Sequence, residues 1–386
     1  MNSNRLNQMV LLLGILVFWC NGDNYAAAPL LLNIARDFHL DISRAAFSVT
    51  AYMLPFGLFT LLFGPLGDRY GKTKVINIAA FGTAIFSCLG AAAFDITSLC
   101  VIRGINGAFA AGILPVTMAL IGESFDDSSR QNAIGKVMGL MMLGGASATA
   151  IGGILSYLGS WRLVYLVYGI AELIIAIMML KMLEKRPGVV GSLNFGRVYG
   201  QAFANKDLLK VVSIIFFVGY CVFGSFTYSG KFIQIRTGYN ILIVGLLLTF
   251  FGIASVIGGR KAGTMRQKMG NRFLLLAGVL GGASLATLSF WHSPFLISVS
   301  LFGFGLAFVF FQSTLVTTAQ QLMPKLRGTV MSLASFNMFV GGGIGTFLNG
   351  YILNKWGIGM IFISASLIMF IVGFMATRVI TSMQNN

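Results

Sequence analysis

The stretch Gly64-Pro-Leu-Gly-Asp-Arg-Tyr-Gly-Lys-Thr-Lys74 sits between two long apolar runs. It places an acid and four glycines or prolines at the end of one run, with bases just beyond. The Asp68 carboxylate is suited to capping a neighbouring helix N-terminus, where backbone N–H groups are unpaired and the dipole end is positive. Arg69, Lys72 and Lys74 are expected to stay in water. A turn of this kind works as a latch that a conformational change must break. Gly64, Gly67, Asp68, Arg69, Gly71 and Lys72 therefore form a candidate gate, joined by Arg130 ahead of the fifth run. A degraded copy, Gly263-Thr-Met-Arg-Gln-Lys-Met-Gly-Asn-Arg272, returns about 199 residues later. Gln267 stands there in place of Asp68, so the carboxylate lock belongs to the first half of the chain.

Composition sets the solvent. The 386 residues are 56% hydrophobic and 10% charged, against roughly 25% charged in soluble domains. Apolar runs occupy roughly 9–31, 43–64, 75–94, 97–121, 133–158, 163–183, 210–230, 240–259, 273–291, 295–319, 329–353 and 357–378. Runs of about 20 residues cross about 30 Å of hydrocarbon. They are continuous rather than alternating, which favours helices over a barrel. The expected fold is an all-α membrane protein of twelve transmembrane helices.

A net charge of +16 suggests nucleic acid in a soluble protein, but here the bases follow topology. With a cytoplasmic N-terminus, about 20 of the 27 Lys and Arg fall at cytoplasmic positions and about 6 outside. That is the positive-inside asymmetry. It predicts both termini in the cytoplasm, a multi-pass protein of a bacterial-type inner membrane, and no nucleic-acid partner. The first run is too long for a signal peptide and is needed for parity. Cys20, Cys88, Cys100 and Cys221 lie in apolar sequence without paired spacing, so neither a metal site nor a disulfide framework is expected. No cofactor is implied, and a monomer is expected.

The longest polar stretch, Glu184 to Asp207, reads as a linker between two six-helix bundles, residues 1–183 and 210–386, with 184–209 between them. Internal repetition supports the cut. Gly144-Gly145, Gly152 and Ile154-Leu155 correspond to Gly342-Gly343, Gly350 and Ile352-Leu353 at an offset of 198. Gly71 corresponds to Gly270, and Arg130 and Arg327 each precede the fifth helix of their half.

The 64–74 segment resembles the loop between helices 2 and 3 of the major facilitator superfamily, Gly-x-Leu-Ala-Asp-Arg-x-Gly-Arg-Arg. Arg103-Gly-Ile-Asn-Gly107 resembles the family's fourth-helix pattern Arg-x-x-Gln-Gly, with Asn106 for Gln. Trp161-Arg162-Leu-Val-Tyr165 resembles its Trp-Arg-x-x-Phe. Gly144 to Gly153 keeps the glycines of the antiporter fifth-helix pattern, but Ala148-Thr149 replaces Gly-Pro. The resemblance implies two pseudo-symmetric six-helix bundles, alternating access about a midplane site, and similarity to twelve-span drug and metabolite exporters. A facilitator or a proton-coupled uptake symporter for a small polar metabolite is the alternative. No membrane-embedded nucleophile–base pair, metal cluster or phosphate loop points to an enzyme.

All eleven carboxylates lie at or before Asp207, and only Asp23 and Glu172 fall in mid-membrane. An intramembrane acid is a functional candidate by default. Asp23 lies about 13 Å and Arg103 about 9 Å from the same face, at 1.5 Å per residue, so an arginine side chain spans the difference. The resemblance implies a proton-transfer role for Arg103, and Asp23 is the expected coupling acid. Glu172 is either a buried packing partner or a second proton site. Lys231, near the outer end of the seventh helix, snorkels to the interface or faces the cavity.

The family architecture lines the cavity with helices 1, 4, 7 and 10, aided by 2, 5, 8 and 11. Candidate polar contacts are Asn24, Tyr25, Tyr52, Asn106, Tyr220, Tyr228, Gln312 and Asn337. Phe308, Phe311 and Phe336 are candidate aromatic walls, alongside Met138 and Met142. The implied partners are the lipid bilayer, a small-molecule substrate and protons.

Overall fold

A computed structural model describes residues 3–125, 127–184, 187–188, 195–270, 272–290, 293–323 and 326–385. The first span is α1 (Ser3–Asp37). The second is a short turn, α2 (Ile42–Ala45), continued by α3 (Phe47–Tyr70), and the third is α4 (Lys72–Gly90). The fourth is broken into α5 (Ile96–Ala110) and α6 (Ile113–Ser124), followed by α7 (Asp127–Leu158) and α8 (Trp161–Met182). A further helix, α9 (Phe195–Ala204), lies within the polar connection. The second bundle is α10 (Lys206–Thr237), α11 (Ile241–Met269), α12 (Arg272–Phe290), α13 (Pro294–Leu322), α14 (Arg327–Trp356) and α15 (Ile358–Asn385). Twelve spans are long and apolar enough to cross a membrane, and no strand occurs among the described residues.

The break in the fourth span has a local cause. Pro115 lacks the N–H that would bond back to residue 111, and a proline is accommodated most readily in a helix's first turn. The chain restarts at Ile113, so Pro115 falls in that turn. Within the first bundle, α1 packs on α7 and α8, α3 on α5, and α4 on α5 and α8. Within the second, α10 packs on α14 and α15, α11 on α13, and α12 on α13 and α15. The bundles meet through α7 with α11, α3 with α14, and α1 with α10. Small residues set these approaches: a Cβ on Gly107 would stand 2.2 Å from the Tyr52 carbonyl oxygen.

The quoted motif is mostly helix. α3 continues to Tyr70, and Gly71 alone makes the corner, with φ of 90°. Its counterpart Gly270 ends α11 with φ of 58°, so both copies of the motif end on a glycine at positive φ. Only glycine takes such conformations freely. Gly67 packs near Lys72 and Val116, and Gly64 near Ser332 of α14. Arg69 is exposed and lies over the Tyr70 ring at 5.2 Å. The side chains of Asp68 and Arg130 lie outside the described residues. Lys72 departs from expectation. It is 6% exposed and pairs with Glu123 of α6 rather than staying in water. Placed in the first turn of α4, its stem packs along the end of the bundle.

At the opposite end, Trp161 Nε1 donates to Asp37 at 3.1 Å. Arg162 pairs with the same carboxylate and donates to the Ala93 carbonyl at 2.9 Å. One acid thus ties α1, the α4–α5 connection and α8 together.

The linker is not wholly irregular. α9 packs against α10 and α14, and its Tyr199 hydroxyl donates to the Leu61 carbonyl of α3 at 2.7 Å. That carbonyl would ordinarily accept from residue 65, which is proline and has no N–H. Tyr199 therefore satisfies a carbonyl that Pro65 leaves unpaired, and in doing so fastens the linker to the first bundle. Tyr199→Phe is expected to lower stability by about 1 kcal/mol, seen as a lower thermal midpoint of the detergent-solubilised protein. Adding Pro65→Ala should remove most of that deficit by restoring the helical donor. An equal deficit in the double variant would show that the bond is not the cause.

Candidate functional site

Five residues of α1 share one helical face: Val17, Cys20, Asn21, Asn24 and Tyr25, at i, i+3, i+4, i+7 and i+8. They form one wall of a cavity between the bundles. Tyr52, Phe56 and Thr60 of α3 add to it, with residues 110–115 at the break in the fourth span and Met138, Met141 and Met142 of α7. The second bundle supplies Phe223, Phe251, Ser255, Phe308 and Gln312, with Met331, Ser335, Met338 and Phe339 from α14. Rings pack around it: Phe251 lies 5.8 Å from Phe308, and Phe223 5.4 Å from Phe339.

The cavity opens at one end. Towards the basic face, where both termini lie, it continues past Gln312 and Met331 into a cleft of about 2650 Å³ between α1 and α7 on one side and α11 and α13 on the other. At the opposite end the bundles touch. A Cβ on Gly252 would stand 2.0 Å from the Ala146 Cα, and one on Gly230 3.0 Å from the Ala28 carbonyl oxygen. Thr50 donates to the Gly343 carbonyl at 3.2 Å, and Asn354 to the Ser43 hydroxyl at 3.1 Å.

Asp23 occupies the other side of α1, turned from the cavity into the first bundle. It is 2% exposed. Its Oδ2 accepts from Arg103 Nη1 at 2.9 Å and from Asn106 Nδ2 at 3.2 Å. The Arg103 guanidinium lies between two rings, 4.2 Å from the Tyr52 centroid and 5.1 Å from that of Tyr165. Tyr52 thus faces the cavity and the ion pair at once, a ring between the two. Such a cation over aromatic faces adds attraction where water is excluded.

Glu172 belongs to the same buried group. It is fully buried in α8, on the side of the first bundle's interior where Asp23, Cys20 and Tyr168 also lie. Neither of its oxygens has a well-formed hydrogen bond. The neighbouring Thr83 hydroxyl of α4 donates instead to the Ala80 carbonyl at 3.0 Å. Out of water, then, two carboxyls lie near one guanidinium, which is in contact with Asp23. Ionising both would leave one buried negative charge uncompensated, a costly arrangement.

The remaining candidates divide by helical phase. Asn24, Tyr25, Tyr52, Met138, Met142, Phe308 and Gln312 lie on the cavity wall. Asn106 serves Asp23 instead. Tyr228 is buried against α14, donating to the Thr346 carbonyl at 2.9 Å. Asn337 donates to Leu333 within its own helix at 2.8 Å, and Phe311 is sealed in the second bundle. On α14 the cavity face carries Met331, Ser335, Met338 and Phe339, a set one or two residues off Phe336 and Asn337. Tyr220 likewise lies off the wall that Phe223 occupies. Lys231 sits near Arg36 at the closed end, away from the cavity. Among the described residues, no group of His, Cys, Asp and Glu is arranged to hold a metal ion.

Known proteins agree with this architecture. Residues 11–346 match the family model of the Major Facilitator Superfamily. The chain belongs to that superfamily. An uncharacterised MFS-type transporter of Bacillus subtilis, YceJ, is 25% identical over 349 residues, covering 87% of each chain. The puromycin resistance protein pur8 of Streptomyces alboniger is 32% identical over 133 residues, 34% of this chain and 26% of that one. Among solved structures, a bacterial homologue of the human lysosomal transporter Spinster, inward-facing and unoccupied, superposes with a TM-score of 0.79. It shares 17% identity over 98% of each chain. This major facilitator protein is thus a multi-pass membrane transporter of a small molecule, and not an enzyme.

Proposed function

We propose that the protein exports a small, drug-like molecule or metabolite in exchange for protons, by alternating access of the cavity to the two membrane faces. The basic face is cytoplasmic, both termini lie there, and the membrane is the bacterial cytoplasmic membrane. The observation that carries this reading is the charge balance of the buried group. Asp23, Glu172 and Arg103 are together neutral when one proton resides on the two carboxyls, so the group is a one-proton store. Tyr52 and the neighbouring Asn24 link that store to the cavity wall. A change in protonation alters how firmly Asp23 holds Arg103, and through Tyr52 the shape of the substrate site. Similarity to the puromycin resistance protein supports export as the direction.

The test is transport into proteoliposomes under an imposed pH gradient. Substrate moving against the proton flow supports exchange. Movement with protons shows uptake symport, and movement indifferent to the gradient shows a facilitator.

A further inference from the structure

Among the described residues, the mid-membrane charges Asp23, Arg103 and Glu172 lie behind the cavity, and no charged side chain lies on its wall. The lining contains no Asp, Glu, Lys, Arg or His. Asp23 is not on the cavity wall: its Oδ2 is held by Arg103 and Asn106, its Oδ1 is buried without a hydrogen-bond partner, and the Tyr52 ring stands between the ion pair and the cavity. The wall offers rings, thioethers and a few neutral polar groups. One of these, Asn24, is 7% exposed and has a carbonyl oxygen without a partner, and such an acceptor calls for a donor.

We propose that the transported species is an uncharged molecule with an aromatic or aliphatic body and at least one hydrogen-bond donor, read by Asn24. A net charge entering this chamber loses its hydration and meets no opposite charge. Ring faces attract cations, but return only a small part of that hydration. An anion finds no cationic side chain on the cavity wall, Lys136 lying out in the cleft beyond it. A neutral apolar body gains from leaving water, and the methionines adapt to its outline.

The electrical consequence rests on the exchange reading above. One proton in for one neutral molecule out carries one positive charge inward per cycle, so membrane potential alone drives transport. A monovalent cation exchanged for one proton would carry none.

The experiment uses the purified full chain and three matched probes on one scaffold: 2-naphthamide, 2-naphthylmethyl-trimethylammonium and 2-naphthoate. Thermal stabilisation is expected with the amide alone. Asn24→Leu should weaken that response at least tenfold, and Met142→Glu, which places an acid on the wall, should create a response to the ammonium probe. Stabilisation of the unaltered protein by either ion, or by none of the three, overturns the proposal. The second arm loads the neutral probe into proteoliposomes and imposes a potassium diffusion potential without a pH gradient. Binding as expected with no response to potential or pH sinks proton exchange and leaves the substrate class standing. Failure of the binding arm does the reverse.

Discussion

Asp23→Asn is expected to abolish gradient-driven accumulation while leaving the protein folded and able to bind substrate. The amide keeps the size of the carboxyl and still accepts from Arg103 and Asn106. It cannot release a proton. With Asp23 gone, Glu172 becomes the only acid to balance Arg103, and a neutral group of one acid and one base stores no proton. Coupled one to one, a gradient of one pH unit sustains about a tenfold concentration ratio at zero membrane potential. The variant should bring that ratio to one, measured in proteoliposomes beside the unaltered protein. Glu172→Gln should do the same, by leaving Asp23 and Arg103 as a balanced pair. A purely structural Glu172 would lower stability without moving the ratio, so a Glu172→Gln protein that still accumulates substrate tenfold removes it from the proton store.

Arg103→Met carries the second large effect. Both members of the Asp23–Arg103 pair are almost completely buried. Removing one partner of such a pair strands the other and typically costs about 3–5 kcal/mol. Methionine fills much of the space between Tyr52 and Tyr165 but leaves two acids without a base. The double variant Asp23→Asn/Arg103→Met should recover most of the loss, because Glu172 is then the one acid left in the group and stays neutral by keeping its proton. Thermal or denaturant midpoints of all four proteins close the cycle. Additive losses would show that the two side chains act independently, against the 2.9 Å contact.

Much of this was legible in the chain. Hydropathy located the twelve spans, the 64–74 motif and its copy located the halves, and the two mid-membrane acids stood out because charge there is costly. Asp23 and Arg103 were paired from depth alone, since rise per residue is fixed along a helix. Azimuth was harder. Phe336 and Asn337 were expected on the wall that Ser335 and Phe339 occupy, and one residue of error rotates a side chain by 100°. Tyr228 failed for the same reason. Glu172 gave no sign of its direction, because its helix is apolar all round.

The amino-acid order by itself determined the solvent, the number of crossings, the repeat and the depth of each ionisable group. These follow from local properties: length against bilayer thickness, turn residues at fixed spacing, and the cost of charge in hydrocarbon. Only the packed structure decided which charges share one buried site, that Lys72 joins Glu123 across 51 positions, and that Tyr199 completes a carbonyl freed by Pro65. Those pairings depend on the rotation of each helix about its axis. Contacts with neighbouring helices set that rotation, and the neighbours are distant in sequence.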